Sequence, residues 1–188
     1  MKDSKTIVFI PPNARFKKQD FSLIRISTYL NKVFHIKSIL IYIEDDDAIE
    51  EQLNFDMVYK VRNKKELFQL LESLNYSFIF HRTWMHSYTF AAKLLKKYKN
   101  TIINIKDWNF ANKDTYKFLF NNHDHDGIRF IFENAKFILS HFTEEQSKKW
   151  IKEYKLKENR FIFFPEFCNE ENFVDRKNIK YKSLFLTN

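Results

Sequence analysis

Short apolar runs alternate with helix-period segments along most of this 188-residue chain. The runs fall at residues 6–10, 36–43, 55–61, 78–80, 102–105, 137–139 and 161–164. Most are too short to cross a helix bundle and carry apolar side chains at successive positions. That pattern suits strands buried on both faces, which parallel sheets require.

Between the runs lie amphipathic stretches. Leu23, Ile26, Leu30 and Val33 fall on one helical face, as do Leu67, Leu70, Leu71 and Leu74. A third segment turns Ala91, Leu94, Leu95 and Tyr98 inward, and Lys93, Lys96, Lys97 and Lys99 outward. The fold class is therefore α/β: a Rossmann-like, mostly parallel sheet flanked by helices on both faces, joined by right-handed crossovers. Residues 1–175 read as one such domain. Residues 176–188 read as a connector and, at Ser183-Leu184-Phe185-Leu186, the opening strand of a second unit.

Local signals refine this outline. Pro11 and Pro12 keep the polar stretch after the first strand out of helix. Glu44-Asp45-Asp46-Asp47 places carboxylates where a helix would start, which suits the helix dipole. Asn63 with Glu66, and Thr143 with Gln146, form N-cap and third-position pairs. His123-Asp124-His125-Asp126 is the most metal-like tetrapeptide, but no distant third ligand accompanies it. It reads as a solvated polar turn before a helix at about residues 130–135.

Composition narrows the function classes. The formal net charge of +8 favours polyanionic partners, yet the lysine pairs at 17–18, 64–65, 96–97 and 148–149 are scattered over different elements. That scatter disfavours nucleic acid, which needs a contiguous basic face with stacking rings. The single cysteine, Cys168, excludes an internal disulfide framework and fits a reducing compartment. No apolar stretch approaches the roughly 20 residues that span a bilayer. The expectation is a cytoplasmic protein, with peripheral contact to the inner face of the membrane through Lys93, Lys96, Lys97 and Lys99.

One glycine, Gly127, leaves no room for a dinucleotide fingerprint or a P-loop, and no Gly-x-Ser-x-Gly elbow exists. In open α/β sheets, ligands bind beyond the carboxyl ends of the strands, where strand order reverses. The first strand delivers Asn13, Arg15 and Lys17 to that edge, and the fourth delivers His81, Arg82 and Trp84. The fifth delivers Lys106, Asp107, Trp108 and Asn109, and the sixth His141. Cations suit phosphate, indoles suit pyranose faces, and Asp or His suits proton transfer.

The order of motifs resembles the N-terminal half of a two-domain GT-B glycosyltransferase of the group-1/family-4 type. Ile79-Phe80-His81 resembles the strand that ends in histidine, and Ile103-Asn104-Ile105-Lys106-Asp107 the strand that ends in aspartate. Glu133-Asn134-Ala135-Lys136-Phe137-Ile138-Leu139-Ser140 and Arg160-Phe161-Ile162-Phe163-Phe164-Pro165 resemble the passages that follow. Two departures stand out: the loop after the first strand lacks the family's glycines, and Glu166-Phe167 replaces its Asn-Gly.

The resemblance implies transfer of a sugar from a nucleotide-sugar donor to a hydroxyl of a sugar or glycolipid acceptor, with no cofactor and no resident metal. It assigns catalysis to His81 and Asp107. By motif position, Arg15 and Lys17 would offset charge on the leaving diphosphate. The set read from the strand ends, Asn13, Arg15, Lys17, Arg82, Trp84, Trp108 and His141, is the expected acceptor- or phosphate-binding group. The resemblance also implies that most donor contacts lie in a second domain, so that these residues alone do not turn over. A non-enzymatic Rossmann-like binding module is the competing expectation, motivated by the missing glycines.

Overall fold

The computed structural model describes residues 5–16, 21–44, 55–84, 87–105, 122–140, 145, 148, 151–152 and 161–163. The chain opens with β1 (Thr6–Ile10), a 3-10 turn (Pro12–Ala14), α1 (Phe21–Phe34), β2 (Lys37–Ile43) and β3 (Met57–Val61). It continues with α2 (Lys64–Ser73), β4 (Phe78–Thr83), α3 (Tyr88–Lys97) and β5 (Thr101–Ile105). α4 (Asn122–Asn134), β6 (Ile138–Ser140) and β7 (Phe161–Phe163) complete the described elements. The strands form one sheet in the order β3-β2-β1-β4-β5-β6-β7, and every neighbouring pair is parallel.

The fold is α/β and Rossmann-like. Alternate residues of each strand serve opposite faces. Val8, Ile10, Ile39, Ile41 and Ile79 pack against Leu67 and Leu71 of α2 and Phe90 and Leu94 of α3. Ile103, Ile105 and Ile138 carry that face on, beneath α3 and α4. On the other face Ile7, Phe9, Leu40, Tyr42 and Phe80 meet Phe16 and, from α1, Leu23 and Ile26. This division follows from handedness: β1 to β2 steps one way across the sheet, whereas β3 through β6 steps the other way. Each fully buried Leu contributes roughly 1.5–3 kcal/mol.

Local chemistry sets the element ends. The Asn63 side chain accepts from the backbone N–H of Lys65 (2.9 Å) and Glu66 (3.0 Å), capping α2 as expected. The Glu66 carboxylate reaches back to the N–H of Arg62 (2.9 Å) rather than to that of the cap residue. α1 ends on His35 in the left-handed region, φ 53°, whose N–H donates to the Asn31 carbonyl at 3.0 Å. β2 is clipped to the chain before β3 by Asp56, which accepts from the Ser38 N–H (2.7 Å) and hydroxyl (3.0 Å). Ser27 of α1 donates to the same Ser38 hydroxyl at 2.7 Å.

Several expectations change. Val33, assigned to the inward face of α1, is 51% exposed because the last turn stands clear of the sheet. The stretch after β1, by contrast, stays out of regular helix as expected: Pro12–Ala14 form a single tight turn with non-helical backbone at Asn13. α4 starts at Asn122, so His123 to Asp126 lie in a helix and not in a polar turn.

Gly127 explains why that helix can sit where it does. A methyl at that position would lie 2.8 Å from the Tyr88 carbonyl carbon and oxygen and 2.9 Å from the Thr89 nitrogen. The helix start proposed at 44–47, the Thr143–Gln146 pair, Cys168 and the boundary near 175 fall wholly or mainly outside the described residues. Among the described residues no helix is long and apolar enough to cross a membrane.

Candidate ligand site at the switch point of the sheet

Strand order reverses between β1 and β4, which lie side by side in the middle of the sheet. A crevice beyond their carboxyl ends is the favoured ligand position in such folds. Register pairs Ile10, the last residue of β1, with His81. β4 runs on to Thr83, further than its apolar run predicts, because β5 pairs with it: Arg82 opposite Asn104 and Thr83 opposite Ile105. The Thr83 hydroxyl donates to the Asn104 carbonyl at 3.1 Å, and Asn104 Nδ2 donates to the Leu139 carbonyl at 3.4 Å.

That extension has a consequence for the predicted site. His81 and Arg82 are strand neighbours and therefore face opposite sides of the sheet. The His81 ring meets Phe90 of α3 edge to face, with centroids 5.3 Å apart and planes at 85°. Arg82, itself buried, belongs to the α1 side. The two share a rim but not a surface. Trp84, just past β4, is held in a turn by Ser87: its N–H donates to the Ser87 hydroxyl (2.8 Å), and its carbonyl accepts from the Ser87 N–H (2.9 Å).

His81 is fully buried, and its Nδ1 lies 3.0 Å from the Ile10 carbonyl oxygen. A carbonyl can only accept, so Nδ1 carries the proton and Nε2 presents a bare lone pair. Nε2 is buried without a hydrogen-bond partner among the described residues. Burial pushes the His81 pKa down to about 4; the Ile10 bond opposes this, and the positive charge of Lys64 adds to it. The imidazole is neutral near pH 7. At that pH Nδ1 donates to the Ile10 carbonyl, and Nε2 carries a lone pair able to accept.

The loop after β1 makes a tight turn without glycine. Asn13 (φ 51°) and Ala14 (φ 61°) both take left-handed backbone, and Ala14 N–H donates to the Pro11 carbonyl at 2.9 Å. Asn adopts this region readily, whereas an ordinary L-residue incurs a cost of about 1–2 kcal/mol. The Ala14 methyl is fully buried in the core beneath α2 and α3, which offsets part of that cost. Arg15 follows, exposed, at the sheet's edge.

One residue that the sequence reading treated as helix surface, Lys64, joins this rim. Lys64 is the first residue of α2, and its ammonium sits 4.8 Å from the centre of the Phe90 ring. Its pKa is lowered, first by burial and then by the charges of Lys93 and Arg15. Lys64 thus sits over Phe90, the ring that also touches His81. The nearby ion pairs, Arg62 with Glu66 and Lys97 with Glu72, involve neither Lys64 nor Lys93. One signal for Lys64 was present: a helix that follows a parallel strand begins at the carboxyl rim, so its first residue lands there.

A groove of about 440 Å³ runs between α2 and α3, away from the switch point. Lys65, Lys93, Lys96 and Lys97 line it, with Glu72 and Phe68. Among the described residues no group of three His, Cys, Asp or Glu side chains could hold a metal ion. Of the residues expected at the site, Asn13, Arg15 and His81 come to the β1–β4 rim, and Trp84 lies just beyond it. Lys17, Asp107, Trp108 and His141 lie outside the described residues. No protein-family model matches the chain, and no curated protein matches it.

Proposed function

We propose that this chain forms the acceptor-side half of a glycosyltransferase that moves a sugar from a nucleotide-sugar donor to an acceptor hydroxyl. The observation that carries the reading is the His81 lone pair at the β1–β4 switch point, held in one tautomer by Ile10. A buried imidazole acceptor of fixed orientation suits a sugar hydroxyl, which must donate somewhere once it leaves water. Cations at Arg15 and Lys64 suit the negative charge of a diphosphate leaving group. Asp107, at the end of the neighbouring strand in sequence, is the proposed acid–base partner.

The test is sugar transfer from a panel of nucleotide sugars to sugar and glycolipid acceptors, using the polypeptide translated from the complete reading frame. His81→Ala should lower kcat/KM about tenfold, the value of one hydrogen bond at the reacting sugar, while the far-ultraviolet spectrum at neutral pH stays native. Unchanged transfer rates in His81→Ala would sink the reading.

Peripheral membrane contact belongs to the same proposal. Lys93, Lys96 and Lys99 stand exposed on or just after α3, and Lys97 borders the groove. Each lysine near an anionic surface contributes about 1 kcal/mol, so cosedimentation should require acidic lipid. Equal recovery with neutral vesicles would exclude this contact.

One observation favours a binding module without turnover instead. Ala14, in the glycine-free loop after β1, turns its methyl into the core and leaves no bare backbone of the kind a diphosphate would approach. Nucleotide-sugar binding with no transfer to any acceptor would support that reading.

A further inference from the structure

We propose that a pocket between α1 and the start of β3 binds a small zwitterion of the α-amino acid type. Thr28, Asn31, Lys32, Phe55 and Asp56 line it, around a volume of about 350 Å³. That volume falls within the range of small-molecule pockets. The pocket lies at the amino end of the sheet on the α1 side, because Asp56 immediately precedes β3. The switch point is at the opposite, carboxyl end, so this site stands apart from the proposed transfer reaction.

The carboxylate of Asp56 is set in place from behind. Ser27 donates to the Ser38 hydroxyl at 2.7 Å, and both serines are buried. That hydroxyl (3.0 Å) and the Ser38 N–H (2.7 Å) both donate to Asp56 Oδ2. Among the described residues Oδ1 has only the Asn31 amide, a long contact at 3.4 Å. The clip to β2 therefore occupies one oxygen and leaves the other able to accept from a ligand. A carboxylate held this firmly loses little freedom when it takes up a partner.

Lys32 supplies the opposite charge. It stands exposed in the last turn of α1 and makes no ion pair, with Asp56 or any other acid, among the described residues. One pocket thus holds an anion and a cation that do not neutralise each other. The Phe55 ring beside them is fixed edge-on against Phe9 of the core, with centroids 5.5 Å apart and planes at 62°.

An α-ammonium suits Asp56 Oδ1, an α-carboxylate suits Lys32, and an apolar side chain suits Phe55. A simple cation would meet like charge at Lys32, and a simple anion would meet it at Asp56. A ligand carrying both charges satisfies both walls.

The test titrates the isotope-labelled intact chain with leucine and follows the backbone amide resonances. N-acetyl-leucine and leucinamide each lack one of the two charges, and glucose is a neutral polyol. Leucine should shift the amides of Thr28, Asn31, Lys32 and Phe55. Each blocked relative should bind about tenfold more weakly, the worth of one hydrogen bond to a charged group.

Lys32→Gln should weaken leucine binding about tenfold and leave leucinamide, which has no carboxylate, unchanged. Asp56→Asn can still accept from Ser38 through its amide oxygen. It should weaken leucine likewise and leave N-acetyl-leucine unchanged. No shift at these amides with leucine, equal binding of leucine and both blocked relatives, or stronger shifts with glucose would each overturn the site. Undiminished leucine affinity in Lys32→Gln would overturn it too, whatever Asp56→Asn does to folding.

Discussion

Acidification from about pH 7 to about pH 5 should cost the protein roughly 2 kcal/mol through His81 alone. Burial sets the folded pKa of this imidazole to about 4, below the ordinary value of 6.5. In that window the unfolded chain binds a proton that the folded chain refuses. Stability from this group is therefore complete above about pH 6.5 and drains as the pH falls toward 4. Over the whole window the loss is roughly 3 kcal/mol.

The measurement is a pair of urea unfolding curves for the wild type and for His81→Gln, at both pH values. Gln can still donate to the Ile10 carbonyl but does not titrate. The variant's stability should fall less than the wild type's by about 2 kcal/mol between those two pH values. Equal losses in both proteins would mean that the imidazole is already charged or exposed in the folded state. Its assignment as a neutral acceptor would fail with it.

Gly127→Ala should destabilise the fold by about 2 kcal/mol net. In an isolated helix this change is favourable by about 1 kcal/mol, since alanine is the best helix former. Here the added methyl would press on backbone, at 2.8 Å from Tyr88 and 2.9 Å from Thr89, and backbone cannot rotate away as a side chain can. The N-terminal turn of α3 and the body of α4 would have to separate, loosening the cluster of Tyr88, Ala91, Ile128 and Ile131. Asp126→Ala, one residue earlier and exposed, supplies the control and should change stability by less than about 0.5 kcal/mol. A stabilised Gly127→Ala would show that α3 and α4 do not approach as closely as described.

Most of the sheet was legible because buried parallel strands are apolar on both faces and appear as short apolar runs; β3, with Lys60 inside it and largely exposed at the sheet's edge, is the weak case. The sheet's inner boundaries were harder to see. Arg82 and Thr83 look like loop, yet hydrogen bonding from β5 keeps them in strand, and that pairing is a tertiary fact. α4 begins in a run of His and Asp that reads as a turn, and a glycine in a helix interior reads as a break. Only the nearness of α3 explains why that glycine is there.

The site was legible to a smaller extent. A general rule about carboxyl edges placed Arg15 beside His81, but strand alternation sends Arg82 to the far face. Lys64 and Phe90 lie 26 residues apart in sequence, yet the ammonium sits over the ring. Only the side-by-side packing of α2 and α3 on one face makes them neighbours. The proton position on His81 needed the Ile10 carbonyl, a partner 71 residues away.

The bend at Asn13 and Ala14 bears on what a turn requires of its residues. A chain nearly stripped of its smallest residue still makes the reversal after its first strand. It does so by holding two ordinary side chains in an uncommon twist and lodging one methyl in the interior. Two consecutive positive-φ residues, neither of them glycine, are enough to reverse the chain when one of them gains a buried contact.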